Sequence, residues 1–484
     1  MWQYKKHLLQ DSYTTDVERF LEKLNNQEKD FFSEDGPLFV ARAPGRLDLM
    51  GGIADYSGSL VLEMPLAVAT FAAVQLVSEP TLTVYSTAAS EIEEESIVSL
   101  PLASFYAQGR ALSYREAHEL LASNTQQIWA AYVLGAVVAL QHECGLRPEH
   151  GLRILVDCQV PIGKGVSSSA ALEVAAMHAI CAAYGLAMDG RKLAILCQRV
   201  ENLIVGAPCG VMDQMTAACG ENNSLLALLC QPAELQGPVP LPGDIEIWGI
   251  DSGVRHAVTG ADYGSVRIGA FMGYRIIAQQ QGFPVTHHEQ DYLTLEDPQW
   301  RGYLANIPPS LWEMKYRASV PTSLLGSDFI EQYQGSTDPV THIDPQRTYS
   351  VQQPTAHPIY ENHRVRLFRS LLAQPTLDEE QLSLLGELMY QSHASYSACG
   401  LGSKGTDILV DLVRQAGPDA LLYGAKITGG GSGGTVAILA HKGAQGQIQR
   451  IVEQYEGQTG LKTTLLRGSS PGAKAWGILQ FFRA

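Results

Sequence analysis

The chain has 484 residues and a formal net charge of −16; that length exceeds what one core usually serves, and that charge opposes non-specific binding to nucleic acid or to an acidic membrane. Two domains are therefore expected, with any anionic ligand held by local positive potential and no nucleic-acid or membrane partner. The basic N-terminal residues Lys5, Lys6 and His7 lack a following apolar segment, no run has bilayer length, and the eight cysteines sit mostly in apolar stretches without metal-ligand spacing, which together point to a cytoplasmic protein with reduced core thiols.

In chain order, residues 16–27 place Val17, Phe20, Leu21 and Leu24 at helical spacing among mixed charges, the pattern of a surface helix. A short apolar strand at 38–41 leads into Arg42-Ala43-Pro44-Gly45-Arg46-Leu47-Asp48-Leu49-Met50-Gly51-Gly52-Ile53-Ala54-Asp55-Tyr56. Arg46 and Asp55 are separated by glycines and can fold to one side of a loop; on these residues alone, an exposed loop with solvated charges is the simpler reading. Residues 61–77 and 81–89 read as strands, 91–95 as a solvated acidic turn, and 129–140 as a strongly apolar helix packed under the segment that follows.

Leu152, Ile154, Val156, Cys158 and Val160 alternate with polar neighbours as a half-buried strand does, and Ala171, Val174, Ala175, His178, Ala179 and Ala182 recur as a helix requires. Between them lies Pro161-Ile162-Gly163-Lys164-Gly165-Val166-Ser167-Ser168-Ser169-Ala170. Glycines at 163 and 165 allow a tight turn and close approach to a ligand, and the serines fall where helix amides lack internal partners. The product is an anion cradle suited to a triphosphate, with one hydroxyl available to Mg²⁺. Taken alone, the stretch reads equally well as a Gly- and Ser-rich connection with a serine N-cap, and it matches neither the Walker pattern nor the dinucleotide fingerprint.

A helix at 191–203 carries Glu201 and is followed by Gly206-Ala207-Pro208-Cys209-Gly210-Val211-Met212-Asp213-Gln214-Met215. Two acids in so apolar a neighbourhood need partners. A strand at 246–251 opens a second unit, Arg255 and His256 read as structural, and Tyr263 stands near a helix start. Residues 283–357 are rich in Pro, His, Gln and Asp and escape assignment; His287 and His288 read as solvated loop residues rather than metal ligands. Helical patterning returns at 361–390 and from 403. Strands at 421–427 and 435–439 are joined by Thr428-Gly429-Gly430-Gly431-Ser432-Gly433-Gly434, more glycine than a hairpin needs.

The runs around Arg46, around the three serines and at 424–435 resemble, in order, the three motifs of the GHMP small-molecule kinases, the superfamily of galactokinase, homoserine, mevalonate and phosphomevalonate kinases. The first run is similar to that of galactokinases and more closely to that of plant L-arabinokinases. This resemblance implies an α+β fold of two domains: a ribosomal-protein-S5-like N-terminal domain over 1–222, and a ferredoxin-like α/β sandwich over 223–484 with an insertion near 284–357. It implies Arg46 and Asp213 as catalytic residues, and Gly52, Ile53, Asp55, Gly210 and Tyr263 around a monosaccharide. Around ATP it implies Pro161, Gly163, Lys164, Gly165, Val166, Ser167, Ser168, Ser169, Gly430 and Gly431. Ser169 and Glu201 are implied as Mg²⁺ ligands, in keeping with that ion's demand for hard oxygen. The implied reaction is ATP-dependent phosphorylation of an anomeric hydroxyl by a monomer or homodimer.

Galactokinases carry Glu-His to hold the sugar's hydroxymethyl group where this chain has Gly52-Ile53. L-Arabinopyranose shares the ring hydroxyls of D-galactose but lacks that group. Burying an unpaired hydroxyl costs roughly 1–3 kcal/mol, so the expected product is L-arabinose 1-phosphate. Galactokinase activity and a non-catalytic, sugar-sensing regulator are the alternatives, the latter disfavoured by Arg46, Asp213 and Glu201 standing together in the pattern.

Overall fold

The computed structural model describes the chain except for residues 4–13, 27, 29, 90–93, 255–261, 289–291, 375 and 484. The expectations for 91–93, Arg255 and His256 therefore lie outside the described residues. The architecture is α+β, built on two sheets.

The larger sheet runs in the order Trp2–Gln3, Ile478–Arg483, Leu38–Met50, Leu60–Val77, Gly151–Cys158, Thr81–Ser86, Ile97–Pro101. Its pairs are antiparallel except for the parallel join between Thr81–Ser86 and Gly151–Cys158. Leu60–Val77 spans 18 residues, enough for its second half to pair with Gly151–Cys158 while Leu60 to Glu63 pair with Ser224–Leu229. Helices Ile128–Cys144 and Ser168–Ala183 are apolar on all sides because each is enclosed, the first packing on the second and the second on the sheet.

The smaller sheet is Leu422–Ile427, Thr435–His441, Ile245–Asp251 and Thr464–Arg467, antiparallel throughout. Its side chains alternate as a two-faced sheet dictates. Trp248, Ile250, Val436 and Ile438 meet the helices Lys404–Ala416 and Gln445–Thr459. Ile247, Ala437 and Leu439 face Leu47, Leu49, Leu62 and Met64 of the larger sheet across one shared core.

The line drawn at 222/223 cuts the larger sheet away from its own strands. Ser224–Leu229 hydrogen-bonds to Leu60–Val77, Glu234–Pro240 extends it, and Ile478–Arg483 returns to pair with Leu38 to Ala41. The chain thus closes its first sheet with its last strand, a long-range pairing that no local pattern encodes.

The unassigned stretch forms a lobe of two small hairpins, Val285–His287 with Leu293–Leu295 and Ser323–Leu325 with Thr348–Ser350, and short helices including Gly326–Tyr333. It has an aromatic core of Trp300, Trp312, Tyr316, Phe329, Tyr333 and Tyr349, shared with the helices Asp262–Gln281 and Gln352–Leu372. His287 and His288 are exposed, as expected. Among the described residues no helix is long and apolar enough to cross a membrane.

Candidate active site

Pro44 and Gly45 do not break the first strand, which runs unbroken from Leu38 to Met50 with a register shift between Pro44 and Arg46. The predicted loop is therefore a strand followed by a tight helix, Gly52–Ser57. Glycine at 45 is required because a Cβ there would lie 2.7 Å from Val160 and 2.8 Å from the Val166 carbonyl. That contact zips the strand to the serine-rich bend, and the Arg46 amide donates to the Val166 carbonyl at 3.1 Å.

Arg46 is buried, 3% exposed. Its Nε donates to Asp213 Oδ1 at 2.9 Å, its Nη2 lies 2.8 Å from the same oxygen, and its Nη1 donates to the Gly165 carbonyl at 2.8 Å. Burial pulls the guanidinium's pKa down, but Asp213, Glu63 and Asp48 together more than offset this and leave it raised. Asp213 sits in the first turn of Met212–Cys219 with its side chain 23% exposed. Its second oxygen accepts from Ser167 Oγ at 2.6 Å.

Ser167 is the residue before the helix Ser168–Ala183 and adopts a left-handed backbone, φ 61° and ψ 48°, without capping the helix. A non-glycine residue there is uncommon, and the strain is set against a hydroxyl aimed at Asp213 instead of at its own helix amides. Those amides are left without a side-chain cap. Gly163 and Gly165, at φ 69° and 70°, make the turn that presents them. Lys164 Nζ pairs with the buried Asp251 at 2.9 Å, and the Lys164 carbonyl accepts from Thr435 Oγ1 at 2.9 Å. Pro161, Ser168 and Ser169 are half-buried along the same bend. Gly429 fits against the Gly165 carbonyl and the Arg46 guanidinium, while Gly430 and Gly431 form the tip of the facing turn. Three distant runs therefore meet within contact distance.

Glu201 opens a π-turn, Glu201–Val205, after the helix Gly190–Val200 and is buried. Burial first and Asp213 second push its carboxyl up to about 7, against hydrogen bonds from Cys209, Ser169 and Gln214. Gln214 Nε2 bridges it at 2.5 Å to a second buried acid, Glu173, at 3.2 Å. Ser169 and Glu173 stand four apart on one helix and so share a face. Glu173 Oε1 and Gln214 Oε1 are buried acceptors with no donor.

On the other side of Asp213, Asp55 is 4% exposed and accepts from the Tyr56 amide at 2.6 Å. Burial, then Asp213, raise its carboxyl to about 7 despite the pull of Arg267. Gly210 is packed so closely on the Asp55 carboxyl that any side chain there would overlap it. Tyr263 meets Tyr56 edge to face at 5.9 Å. Ile53 is 1% exposed in a dry cluster with Val266, Tyr396, Cys399, Leu401 and Ile427.

Gly52 contributes backbone only, donating to Asp48 Oδ1 at 3.0 Å with φ +43°. The direction a side chain would take is filled by the Tyr396 hydroxyl. That hydroxyl accepts from the Ile53 amide at 2.9 Å and donates to the Gly429 carbonyl at 3.0 Å. Beside it the fully buried Lys426 pairs with Asp48 at 2.5 Å. This clasp ties the first run to the third.

Sequence reasoning missed Glu63, Asp48, Lys426, Tyr396, Gln214 and Glu173. Glu63 is 0% exposed, 3.4 Å from Arg46 Nε, with neither oxygen hydrogen-bonded. Burial and then Asp48 push its carboxyl well above the usual carboxylate range, against the pull of Arg46. The available signal was one charged residue inside an apolar strand, in Leu-Val-Leu-Glu-Met and in Gly-Ala-Lys-Ile alike; such residues are seldom buried unless paired or neutralised.

Family models match over three stretches: "Galactokinase galactose-binding signature" at 28–76, "GHMP kinases N terminal domain" at 131–221 and "GHMP kinases C terminal" at 373–457. L-Arabinokinase from Arabidopsis thaliana is 46% identical over 97% of this chain, which spans 49% of that protein's length. A galactokinase from Chloroflexus aurantiacus is 27% identical over 88% of this chain and 90% of its own. The fold matches that of Lactococcus lactis galactokinase complexed with galactose, with a TM-score of 0.70 at 19% identity, covering 94% of this chain and 99% of that one.

Proposed function

We propose that the chain is a GHMP kinase of the galactokinase-like kind, as the three family-model matches and the likeness to L-arabinokinase support, and that it transfers the γ-phosphoryl group of ATP to the anomeric hydroxyl of L-arabinose, giving L-arabinose 1-phosphate. The observation that carries the reading is the partly open Asp213 carboxylate, fixed by Arg46 and Ser167 between the serine-rich bend and Asp55.

In a loose phosphoryl transfer, positioning and charge neutralisation outweigh a strong base. Asp213 orients the sugar hydroxyl and takes its proton. Arg46 neutralises Asp213 and the charge that develops beside it. The uncapped amides of Ser168–Ala183, together with Pro161, Gly163, Lys164, Gly165, Val166, Ser167 and Ser168, hold the phosphates, with Gly430 and Gly431 facing them. Asp55, Gly210, Tyr263 and Ile53 surround the sugar, and Gly52 shapes that wall through its backbone.

Mg²⁺ fits the unpartnered oxygen acceptors of Glu173 and Gln214 that lie beside Ser169 and Glu201. Ser169 and Glu201 would hold it, and when bound it supplies positive charge to the β- and γ-phosphates. ATP, Mg²⁺ and a location in the cytoplasm belong to this proposal, as does the division of labour between the two sheets.

The pentose assignment is supported by the buried, apolar side chain of Ile53, which itself offers no hydrogen-bond partner to a hydroxymethyl group. D-Galactose is the second reading, favoured by the galactose-binding signature. Measurement of ADP release with Mg-ATP across L-arabinose, D-galactose and other free monosaccharides decides between them. The highest kcat/KM is expected for L-arabinose. Release with no sugar in the panel overturns the kinase reading, and a preference for galactose overturns the pentose assignment.

A further inference from the structure

The lobe at 282–351 touches the sugar side of the site at two places. Its Asp338 grips Arg267, with Arg267 Nε donating to Oδ2 and Nη2 to Oδ1, both at 2.7 Å. Both residues are buried, 5% and 4% exposed. The remaining Nη1 donates to the carbonyl of Cys209 at 3.2 Å, immediately before Gly210. The guanidinium lies 5.5 Å over the ring of Tyr56, which in turn meets Tyr263. Arg267 thus reaches the residues flanking Asp55, Gly210 and Tyr263, and its ion-pair partner among the described residues comes from the lobe.

The second contact is at the far end of the Gly52–Ser57 helix. Gly58 has no room for a Cβ because Tyr303 of the lobe covers it. Gln231 donates both to the Gly58 carbonyl at 2.7 Å and to Asn306 Oδ1 of the lobe at 2.8 Å. The lobe therefore braces this helix from both sides, through Tyr56 and through Gly58.

We propose, on the premise of the sugar-kinase reading, that the 282–351 lobe is part of the sugar-binding apparatus and that Asp338 is a positioning residue which, through Arg267, fixes Tyr56, Tyr263 and the Cys209–Gly210 peptide around the monosaccharide. Asp338 is held for that task by the Thr341 hydroxyl at 2.6 Å and the Val340 amide at 3.1 Å. A second consequence is electrostatic. Arg267 already pulls on Asp55; without Asp338 its full charge falls on that acid and competes with the sugar's hydroxyls for it.

The test compares wild type, Asp338→Asn and Thr341→Val in the full chain, reading the sugar KM against the affinity for ADP titrated without sugar. Asp338→Asn is expected to raise the sugar KM roughly tenfold and Thr341→Val about threefold, with ADP affinity unchanged. Sugar and nucleotide terms that weaken in parallel, or a sugar KM that does not move, overturn the proposal. Thr341→Val decides the matter where Asp338→Asn does not fold. A wild type that phosphorylates no monosaccharide overturns the sugar-kinase reading instead, which separates the two failures.

Discussion

Arg46 and Arg267 are both buried, and each holds one aspartate through contacts of 2.7 to 2.9 Å, yet their surroundings are opposite. Arg267 and Asp338 saturate one another, and the remaining acceptor capacity of Asp338 is taken by Thr341 and Val340. Around Arg46 three acids crowd one guanidinium, Glu63 is left without hydrogen bonds, and Asp213 keeps a side chain 23% exposed. A buried pair with every valence filled holds a shape. A crowded pair with open valences has something left for a ligand, and the contrast separates a positioning role from a chemical one without any bound molecule.

The largest effect that tests this contrast is on turnover. Asp213→Asn keeps the hydrogen-bonding shape but removes the proton acceptor, and kcat is expected to fall about 10³-fold. ADP affinity should stay near wild type, and the urea midpoint should fall less than in Asp338→Asn, because Asp213 is partly solvated and Glu63 and Asp48 remain beside the buried Arg46 when the Asp213 charge is removed. Retained turnover in steady-state assays would remove Asp213 from the chemistry.

Asp338→Asn should reverse that profile. Leaving Arg267 buried without an anion is expected to cost roughly 3 kcal/mol of stability, read as a lower urea midpoint, with kcat at saturating sugar largely preserved. Equal stability losses in the two variants would erase the distinction between the pairs.

The same contrast explains what the sequence could reveal. The serine-rich bend is made of backbone, so glycines at 163 and 165, which must take positive φ, announce it in one dimension. Arg46, Asp55 and Asp213 were legible because they stand in recurrent runs. Asp338 was not, because its importance arises only where a lobe of short elements returns to a helix 71 residues earlier. Tyr396 was hidden for a related reason. The Gly52-Ile53 departure was visible, but not that a hydroxyl from Glu379–Ala398 occupies the space. Pro44-Gly45 looked like a loop because propensity counts against strand there, whereas a bulge and a zipped neighbour override it. The sheet strand at Ile478–Arg483 is non-local and has no local signature at all.

A smaller effect concerns Asp55, which lies between the two arginines. Its carboxyl is raised to about 7, so below that pH it is mostly protonated and has lost acceptor capacity for sugar hydroxyls, while above it the carboxylate is available. In the pH profile of kcat/KM for the sugar, a decline approaching tenfold per pH unit is expected below about 7, with a plateau above. Asp55→Asn should be weak and flat over that range. A limb that persists in Asp55→Asn belongs to another group.

The smallest effect is on specificity, and the structure limits how it can be probed. Exchanging Gly52-Ile53 for Glu-His would drive a side chain into the Tyr396 hydroxyl at a residue with φ +43°, breaking the clasp to Gly429 and Lys426 before any new sugar contact forms. Loss of folding in that double variant would say nothing about substrate. Ile53→His alone leaves the Ile53 amide bonded to Tyr396, since that bond uses backbone, and adds one polar group to the dry wall. Half of the exchange should yield part of the 1–3 kcal/mol at stake, so the ratio of kcat/KM for D-galactose over L-arabinose is expected to rise about threefold to tenfold. Competition assays with both sugars present read that ratio directly, independent of how much folded enzyme each preparation holds. A ratio unchanged in a folded Ile53→His variant would place the discrimination elsewhere, with the lobe-braced residues around Tyr56 and Tyr263 as the next wall to alter.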